Sequence, residues 1–390
     1  SNNGHDVVWW SSTFDHTRKV HRFNACTGLP LSPHLELRLL HGRWYGRSIS
    51  LARLVNHAQL ARQFRRLAPR SDPPPDLILC SYPTVELATA ATEFGRARGI
   101  PVVLDIRDLW PDIFLDLLPR WAALPARMVL FPLFRASRRA LREAAAITAI
   151  TPDFVKWGLN HANRTATKLD RDFPMAYLEQ PPSAEELAVA ERRWDKLLAD
   201  QGSEPFICCF FGTMGRHSDL FTVLDAAGRC QADGRNIMFV LCGNGEYLER
   251  YRERARGMGK VLLPGWVGHA DIWTLMRRAK AGLAPYVAVP NYNLNIPNKP
   301  IEYLSAGLPI LTTITGVAGR LISEYDCGLV YGHGDSEQLY AILAELQNSP
   351  LRQQSMSANA LRLYRDRFRA EQVYAEMAAH LESIVAAPRG

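Results

Sequence analysis

Asn295-Ile296-Pro297-Asn298-Lys299-Pro300-Ile301-Glu302-Tyr303-Leu304-Ser305-Ala306-Gly307 is the stretch from which the architecture of this chain can be unfolded. Pro300 suits the first position of a helix, because its fixed φ fits that turn and its missing N–H is not needed there. Unpaired amides and the positive end of the helix dipole then face whatever lies in front, which makes a receptor for phosphate. Glu302 is expected in the same first turn, where a carboxylate would repel a phosphate docked directly on it. As an acceptor aimed aside it suits a sugar hydroxyl, and Lys299 supplies the compensating positive charge. Phosphate beside a diol suggests a nucleotide. The same residues also read as an ordinary corner between a strand and a helix.

Outward from this stretch, short apolar runs alternate with helical patterns. Strands are expected at 76–80, 101–105, 146–150, 206–211, 237–241, 261–263, 281–285 and 309–313. Near-continuous apolar strands separated by helices imply parallel sheets covered on both faces, an α/β architecture. The rhythm breaks after Phe173-Pro174, at Gln180-Pro181-Pro182-Ser183 and a charged helical stretch through Asp200. The expected division is therefore 1–185, 186–365 and a terminal helix over 366–390 that crosses back to the first domain. Ligands of such sheets bind beyond the carboxyl ends of the strands.

Extended through Leu308-Pro309-Ile310, the segment from Pro297 resembles the donor-binding motif of glycosyltransferase family 4. The resemblance implies a retaining enzyme of the GT-B fold, with two facing Rossmann-like domains and a cleft between them. It implies that Glu302 binds the ribose hydroxyls, and that Ile296, Pro297, Asn298 and Lys299 line the donor. The family's partner glutamate, eight positions earlier, would fall at Leu294, a departure shared by the branch that modifies bacterial surface polysaccharides. Gly4-His5-Asp6-Val7-Val8 resembles the approach to the second strand of such a first domain. A strand, a glycine-rich turn and a helix are then expected before Ser1, forming one wall of the active site.

Further motifs fall at strand ends. In Phe211-Gly212-Thr213-Met214-Gly215-Arg216, glycines let amides approach an anion, and Arg216 can fork onto phosphate oxygens. The resemblance places the donor diphosphate on Gly212, Thr213, Gly215 and Arg216. Many family members add a lysine further on, but His217-Ser218-Asp219-Leu220-Phe221 has none. The alternative is a tight turn with a solvated arginine. Gly243-Asn244-Gly245-Glu246 resembles the family's second glycine turn and puts Gly245 at the donor. Gly265-Trp266-Val267 follows a strand, and by resemblance Trp266 and Val267 flank the base.

The first domain offers Asp105-Ile106-Arg107-Asp108-Leu109-Trp110-Pro111-Asp112, similar to a signature of the same branch. A strand-end carboxylate can accept the proton of an attacking hydroxyl, with Asp108 the first candidate and Asp105 the second. The competing reading is an Asp–Arg pair that pins the loop. His16 sits in the loop Ser11-Ser12-Thr13-Phe14-Asp15-His16-Thr17, where the family has a histidine that would hold sugar hydroxyls. Residues 117–145 hold six arginines and one acid, Glu143, interleaved with Met128-Val129-Leu130-Phe131-Pro132-Leu133-Phe134. Such a basic amphipathic stretch can lie on an anionic membrane surface, at about 1 kcal/mol per arginine, or pack with a solvated basic face.

Composition narrows the class. The chain has 390 residues, 47% hydrophobic and 22% charged, long enough for two domains. A net charge of +7 favours anionic partners without choosing among them. The seven cysteines form no C-x-x-C pair, so neither a zinc site nor a disulfide framework is indicated, and a reducing cytoplasm is the simplest setting. No apolar run reaches the roughly 18 residues of a membrane span.

The expected function is a metal-independent transferase moving a sugar from a nucleotide-diphosphate sugar, by family habit a UDP-sugar, with Arg216 also stabilising the leaving group. By resemblance the acceptor is a lipid-linked saccharide, met at the inner face of the cell membrane. No separate cofactor and no nucleic acid is expected. Two alternatives stay open: a GT-B nucleotide-sugar epimerase, which needs paired acid and base carboxylates, and a non-catalytic basic binder.

Overall fold

Two runs of parallel strands organise the chain, which the computed structural model describes over residues 4–16, 18–46, 50–70, 72–116, 118–199 and 204–387. Thr17, Leu117 and Asp200, each in a stretch singled out above, lie outside these residues. One unit comprises Ser1–Asp172 with Ala379–Gly390, and the other Phe173–Ala378.

In the first unit, β1 (Val7–Ser12) pairs parallel with β5 (Leu35–Leu40), and β4 (Thr27–Ser32) pairs antiparallel on its far side. β2 (Phe14–Asp15) and β3 (Val20–His21) make a small hairpin. A separate parallel sheet runs β6 (Ile78–Tyr82), β7 (Val102–Ile106), β8 (Ala146–Ala149), β9 (Arg171–Asp172). Every residue of β7 and β8 is buried, the pattern of strands covered on both faces. The connecting helices carry ordinary stop and start signals. Val85–Arg98 ends on Gly99 at φ +67°, and Pro152–Ala162 begins behind Thr151, whose hydroxyl accepts the Phe154 N–H.

The second unit is one six-stranded parallel sheet: β10 (Phe206–Thr213), β11 (Ile237–Asn244), β12 (Val261–Gly265), β13 (Ala281–Ala284), β14 (Ile310–Thr312) and β15 (Gly328–Val330). The spatial order is β12-β11-β10-β13-β14-β15. That is the doubly wound order, with its reversal between β10 and β13. Alternation along β10 explains the two-sided core. Cys209 and Phe211 join one cluster with Met238, Val240 and Tyr303, whereas Cys208 and Phe210 join the other with Phe239 and Leu241. Six of the seven cysteines are buried, and burial raises the thiol pKa of each of those six, which marks them as packing residues.

The division falls between Asp172 and Phe173, upstream of residue 185. The proline-rich stretch is tied into the second unit: Phe173 is buried, Tyr177 N–H donates to Phe368 O at 3.0 Å, and Ala370 N–H donates to Tyr177 O at 3.2 Å. The helix Ala184–Leu198 follows behind a capping box of Ser183 and Glu186. The last helix, Ala370–Ala386, returns its final residues to the first unit. There Ile384 packs with Val103 and Ala146, and His380 Nε2 lies 3.0 Å from Leu169 O.

Candidate functional site

The reversal point of the second sheet gathers most of the expected donor residues. β10 runs straight into Gly212 and Thr213, and β13 is followed by Tyr286. Lys299 lies across this point. Its Nζ is 5.3 Å from the ring centres of both Phe210 and Tyr286, within cation–π range. Gly212 has φ +149°, and a Cβ there would fall 2.1 Å from Lys299 Cε and 2.6 Å from Nζ. Glycine is therefore required twice over, by the backbone and by the lysine pressed on it. Gly245, at φ +153°, makes the neighbouring turn: its Cβ would stand 2.4 Å from Met214 O, and its N–H donates to Asn244 Oδ1 at 2.8 Å.

Lys299 is half-buried, yet no carboxylate stands within ion-pairing distance among the described residues. Burial lowers its pKa, and Glu302 works in the other direction. Burial likewise pushes the Glu302 carboxyl up to about 7, against the pull of Lys299 and His269. Desolvated charges of this kind are costly unless something binds them. The site is thus short of an anion near Lys299 and holds a carboxyl that changes charge near neutrality.

The helix carrying these groups spans Asn298–Ser305 behind Pro297. It starts two residues earlier than expected, so Pro300 occupies the third helical position. Glu302 therefore lies beyond the first turn, which holds no acid. The early start follows from Pro297, whose φ of −64° and ψ of 161° set it up as the flanking residue. Of the amides that a helix start leaves unpaired, two are prolines and carry no hydrogen. The donors that remain are Asn298 and Lys299, and no side chain caps them. Ile296 and Pro297 are buried and fix the entry of the loop, and Asn298 is exposed.

Other expected donor residues stand differently. Thr213 is exposed at the end of β10, while Gly215 is buried and accepts the Ser218 N–H at 3.1 Å. Arg216 follows on the same turn, but its side chain is 79% exposed and its Nε lies 3.3 Å from Glu246 Oε1. Its charge is shared with an acid that the sequence had suggested only as part of a glycine turn. Trp266 is 74% exposed after β12, an apolar face available for stacking. Val267 is buried in the core, so only its main chain can meet a ligand. Phe210, Tyr286 and His269 complete the surroundings of Lys299 and Glu302 and were not anticipated. For Tyr286 the available signal was its place one residue after an expected strand.

In the first unit the two aspartates part company. Asp105 is 3% exposed, its Oδ1 accepts from Thr148 Oγ1 at 2.9 Å, and its Oδ2 from Arg107 Nε at 2.5 Å. Both oxygens accept a hydrogen bond, so Asp105 is held at the end of β7, as the reading of an Asp–Arg pair that pins the loop expects. Asp108 is half-buried two residues beyond the strand. His16 is exposed beyond β2, its Nδ1 2.9 Å from Tyr45 Oη. Burial first, then Lys19 and Arg53, lower its pKa, which favours the neutral imidazole.

The basic stretch forms two helices, Arg120–Val129 and Phe131–Glu143. The second buries Phe134, Ser137, Ala140 and Leu141 and leaves Arg135, Arg138 and Arg139 exposed. The first leaves Trp121 (82% exposed), Leu124 (66%) and Met128 (68%) along one face. No helix of the described residues is long and apolar enough to cross a membrane. Among the described residues no group of His, Cys, Asp and Glu could hold a metal ion.

Two family models match the chain: a glycosyl transferase 4-like domain over residues 2–164 and glycosyl transferases group 1 over residues 196–362. No curated protein matches it. Solved structures share its fold. Sucrose-phosphate synthase from Thermosynechococcus elongatus aligns with TM-score 0.71 at 15% identity, over 99% of this chain and 91% of that one. A UDP-forming α,α-trehalose-phosphate synthase from Burkholderia vietnamiensis gives 0.69 at 15%, over 96% and 94%. Anabaena HepE, solved in complex with UDP, gives 0.64 at 15%, over 89% and 86%. The architecture is GT-B: two Rossmann-like units.

Proposed function

We propose that this chain, a glycosyltransferase of the GT-B fold by its two domains and its strand order, takes a UDP-sugar at the reversal point of its second sheet. It passes the sugar, with retention of configuration, to a lipid-linked saccharide in the building of cell-surface polysaccharide. The observation that carries the donor site is Lys299, a half-buried ammonium without an ion-pair partner among the described residues, seated on Gly212. A diphosphate is the ligand that this arrangement lacks. Anabaena HepE has been solved with UDP and with UDP-glucose, which supports uridine as the base.

In this reading the diphosphate lies against Lys299 Nζ and the amides of Asn298 and Lys299. Charge that develops on the leaving group as the glycosidic bond breaks meets donors that are already fixed, so they need no reorganisation. Arg216 adds a mobile charge from the edge, and the charge is neutralised without a metal. Glu302 accepts from the ribose hydroxyls, and Trp266 stacks on the base beside the Val267 main chain. The acceptor attacks on the face from which UDP departs. Asp108 is the first unit's candidate to orient the acceptor hydroxyl, with His16 as a neutral hydrogen-bond partner.

The exposed stripe of Trp121, Leu124 and Met128 beside the arginines of Phe131–Glu143 supports docking on an anionic bilayer. The enzyme would then be peripheral on the cytoplasmic face. The test is release of UDP from a set of UDP-sugars, with and without lipid-linked acceptor in phosphatidylglycerol vesicles. UDP release that depends on both acceptor and vesicles is expected. A chain that neither is stabilised by any UDP-sugar nor releases UDP would overturn the reading.

A further inference from the structure

We infer that the first unit carries a second anion site, built for the dianionic phosphate group of a phosphate monoester. It is a cavity of about 490 Å³ walled by His41, Arg43, Gln59, Arg62, Gln63 and Arg66. The inference goes beyond the transferase reading and does not depend on it, because no residue of the donor site takes part.

The local sequence builds the cavity. Gln59, Arg62, Gln63 and Arg66 recur at i, i+3, i+4 and i+7 on the helix Leu51–Leu67 and so share one face. Arg43, just past β5, is held against that face by two bonds: its N–H donates to Gln59 Oε1 at 2.6 Å, and Asn56 Nδ2 donates to its carbonyl at 2.7 Å. His41 is fixed through Nδ1, 3.1 Å from Thr13 Oγ1, and its ring sits 4.5 Å from that of His21.

Charge in the cavity is one-sided. No acid lines it, and among the described residues the guanidiniums of Arg43, Arg62 and Arg66 make no ion pair. Arg65, on the same helix but off this face, does find a partner, Glu93 Oε2 at 3.0 Å. Arg62 and Arg66 are like charges one turn apart, an arrangement that weakens the free helix. Three unpaired forks around one hollow suit a dianionic phosphate, which guanidinium binds through paired N–H groups.

A phosphate monoester such as a sugar phosphate carries that dianion in soluble form. The same phosphate chemistry is shared by phospholipid headgroups, so the source must be separated by experiment.

The experiment is titration calorimetry of the full chain in a Lys299→Ala background, which removes the second unit's cation from the measurement. Glucose 1-phosphate, inorganic phosphate and glucose are the soluble probes, and phosphatidylglycerol vesicles the membrane probe. Glucose 1-phosphate and inorganic phosphate are expected to bind, and glucose not to bind. Adding Arg62→Gln with Arg66→Gln, or Arg43→Gln alone from a different element, should weaken glucose 1-phosphate at least tenfold. Unchanged sugar-phosphate binding in both arginine variants would overturn the inference. So would a loss confined to vesicle binding, which would assign these arginines to lipid headgroups. Because UDP-sugar turnover is not read, a failure here is distinct from a failure of the donor site.

Discussion

Lys299 in the second unit and the arginines of the first hold positive charge in opposite ways. Lys299 is half-buried, flanked by two aromatic rings and packed on a glycine. Arg135, Arg138 and Arg139 stand on an exposed helix face. A desolvated cation has paid for its position before any ligand arrives, so it selects one anion in one geometry. Exposed arginines attract many anions, weakly and in a salt-dependent manner. The contrast implies that chemistry concentrates in the second unit and that recruitment of anionic partners belongs to the first.

The severest way to break that contrast is Gly212→Ala. The new Cβ would collide with the Lys299 stem, and a positive φ strains it by about 1–3 kcal/mol. Loss of kcat/KM for the UDP-sugar by more than about 100-fold is expected, since ångström-scale misplacement carries that cost. Near-normal turnover would show that Lys299 is not set by this turn.

Lys299→Ala comes next and separates binding from scaffolding. Donor affinity should fall by about 2–4 kcal/mol, the range for a desolvated charge pair. The ligand-free protein should be no less stable, because an unpaired ammonium has been removed. A large drop in the melting temperature of the ligand-free variant would make Lys299 a structural residue instead.

Glu302→Gln sharpens the comparison through pH. The folded carboxyl titrates at about 7, above its ordinary value of 4.5, so between those values the native state binds more protons than the unfolded one. Stability contributed by this group is therefore full below about pH 4.5 and is lost as pH rises through 7. The loss is on the order of 1–3 kcal/mol. Denaturant melts across that window should slope downward for the natural chain and be flatter for the variant. Equal slopes would mean that Glu302 is not buried in solution.

The smallest effect belongs to Arg216→Ala. An exposed side chain already engaged by Glu246 should change kcat by about tenfold or less, with an effect that shrinks in high salt. A loss beyond about 100-fold at high salt would place Arg216 with Lys299, as a fixed part of the site.

Much of this was legible along the chain. The apolar runs at 206–211 and 237–241 announce buried parallel strands, because both faces of β10 and β11 must be apolar. The corner at Pro297–Glu302 announces itself through proline and charge. Its register was read two residues late, since either Pro297 or Pro300 can open a helix and only the packing of Ile296 and Pro297 decides. Asp105 and Asp108 look equivalent in sequence. Nothing in the local sequence tells that Thr148, forty-three residues on, lies beside β7 and donates to Asp105.

By itself the sequence determined the repeating strand–helix pattern, the glycine turns and the residue types able to grip a diphosphate. Those features are local, set by side-chain period and backbone freedom within a few residues. Only the tertiary structure decided which charges are buried, which are already paired and which are left wanting a partner. Such properties depend on neighbours distant in the chain, as when Lys299 meets Phe210, Gly212 and Tyr286, or Arg43 meets Gln59.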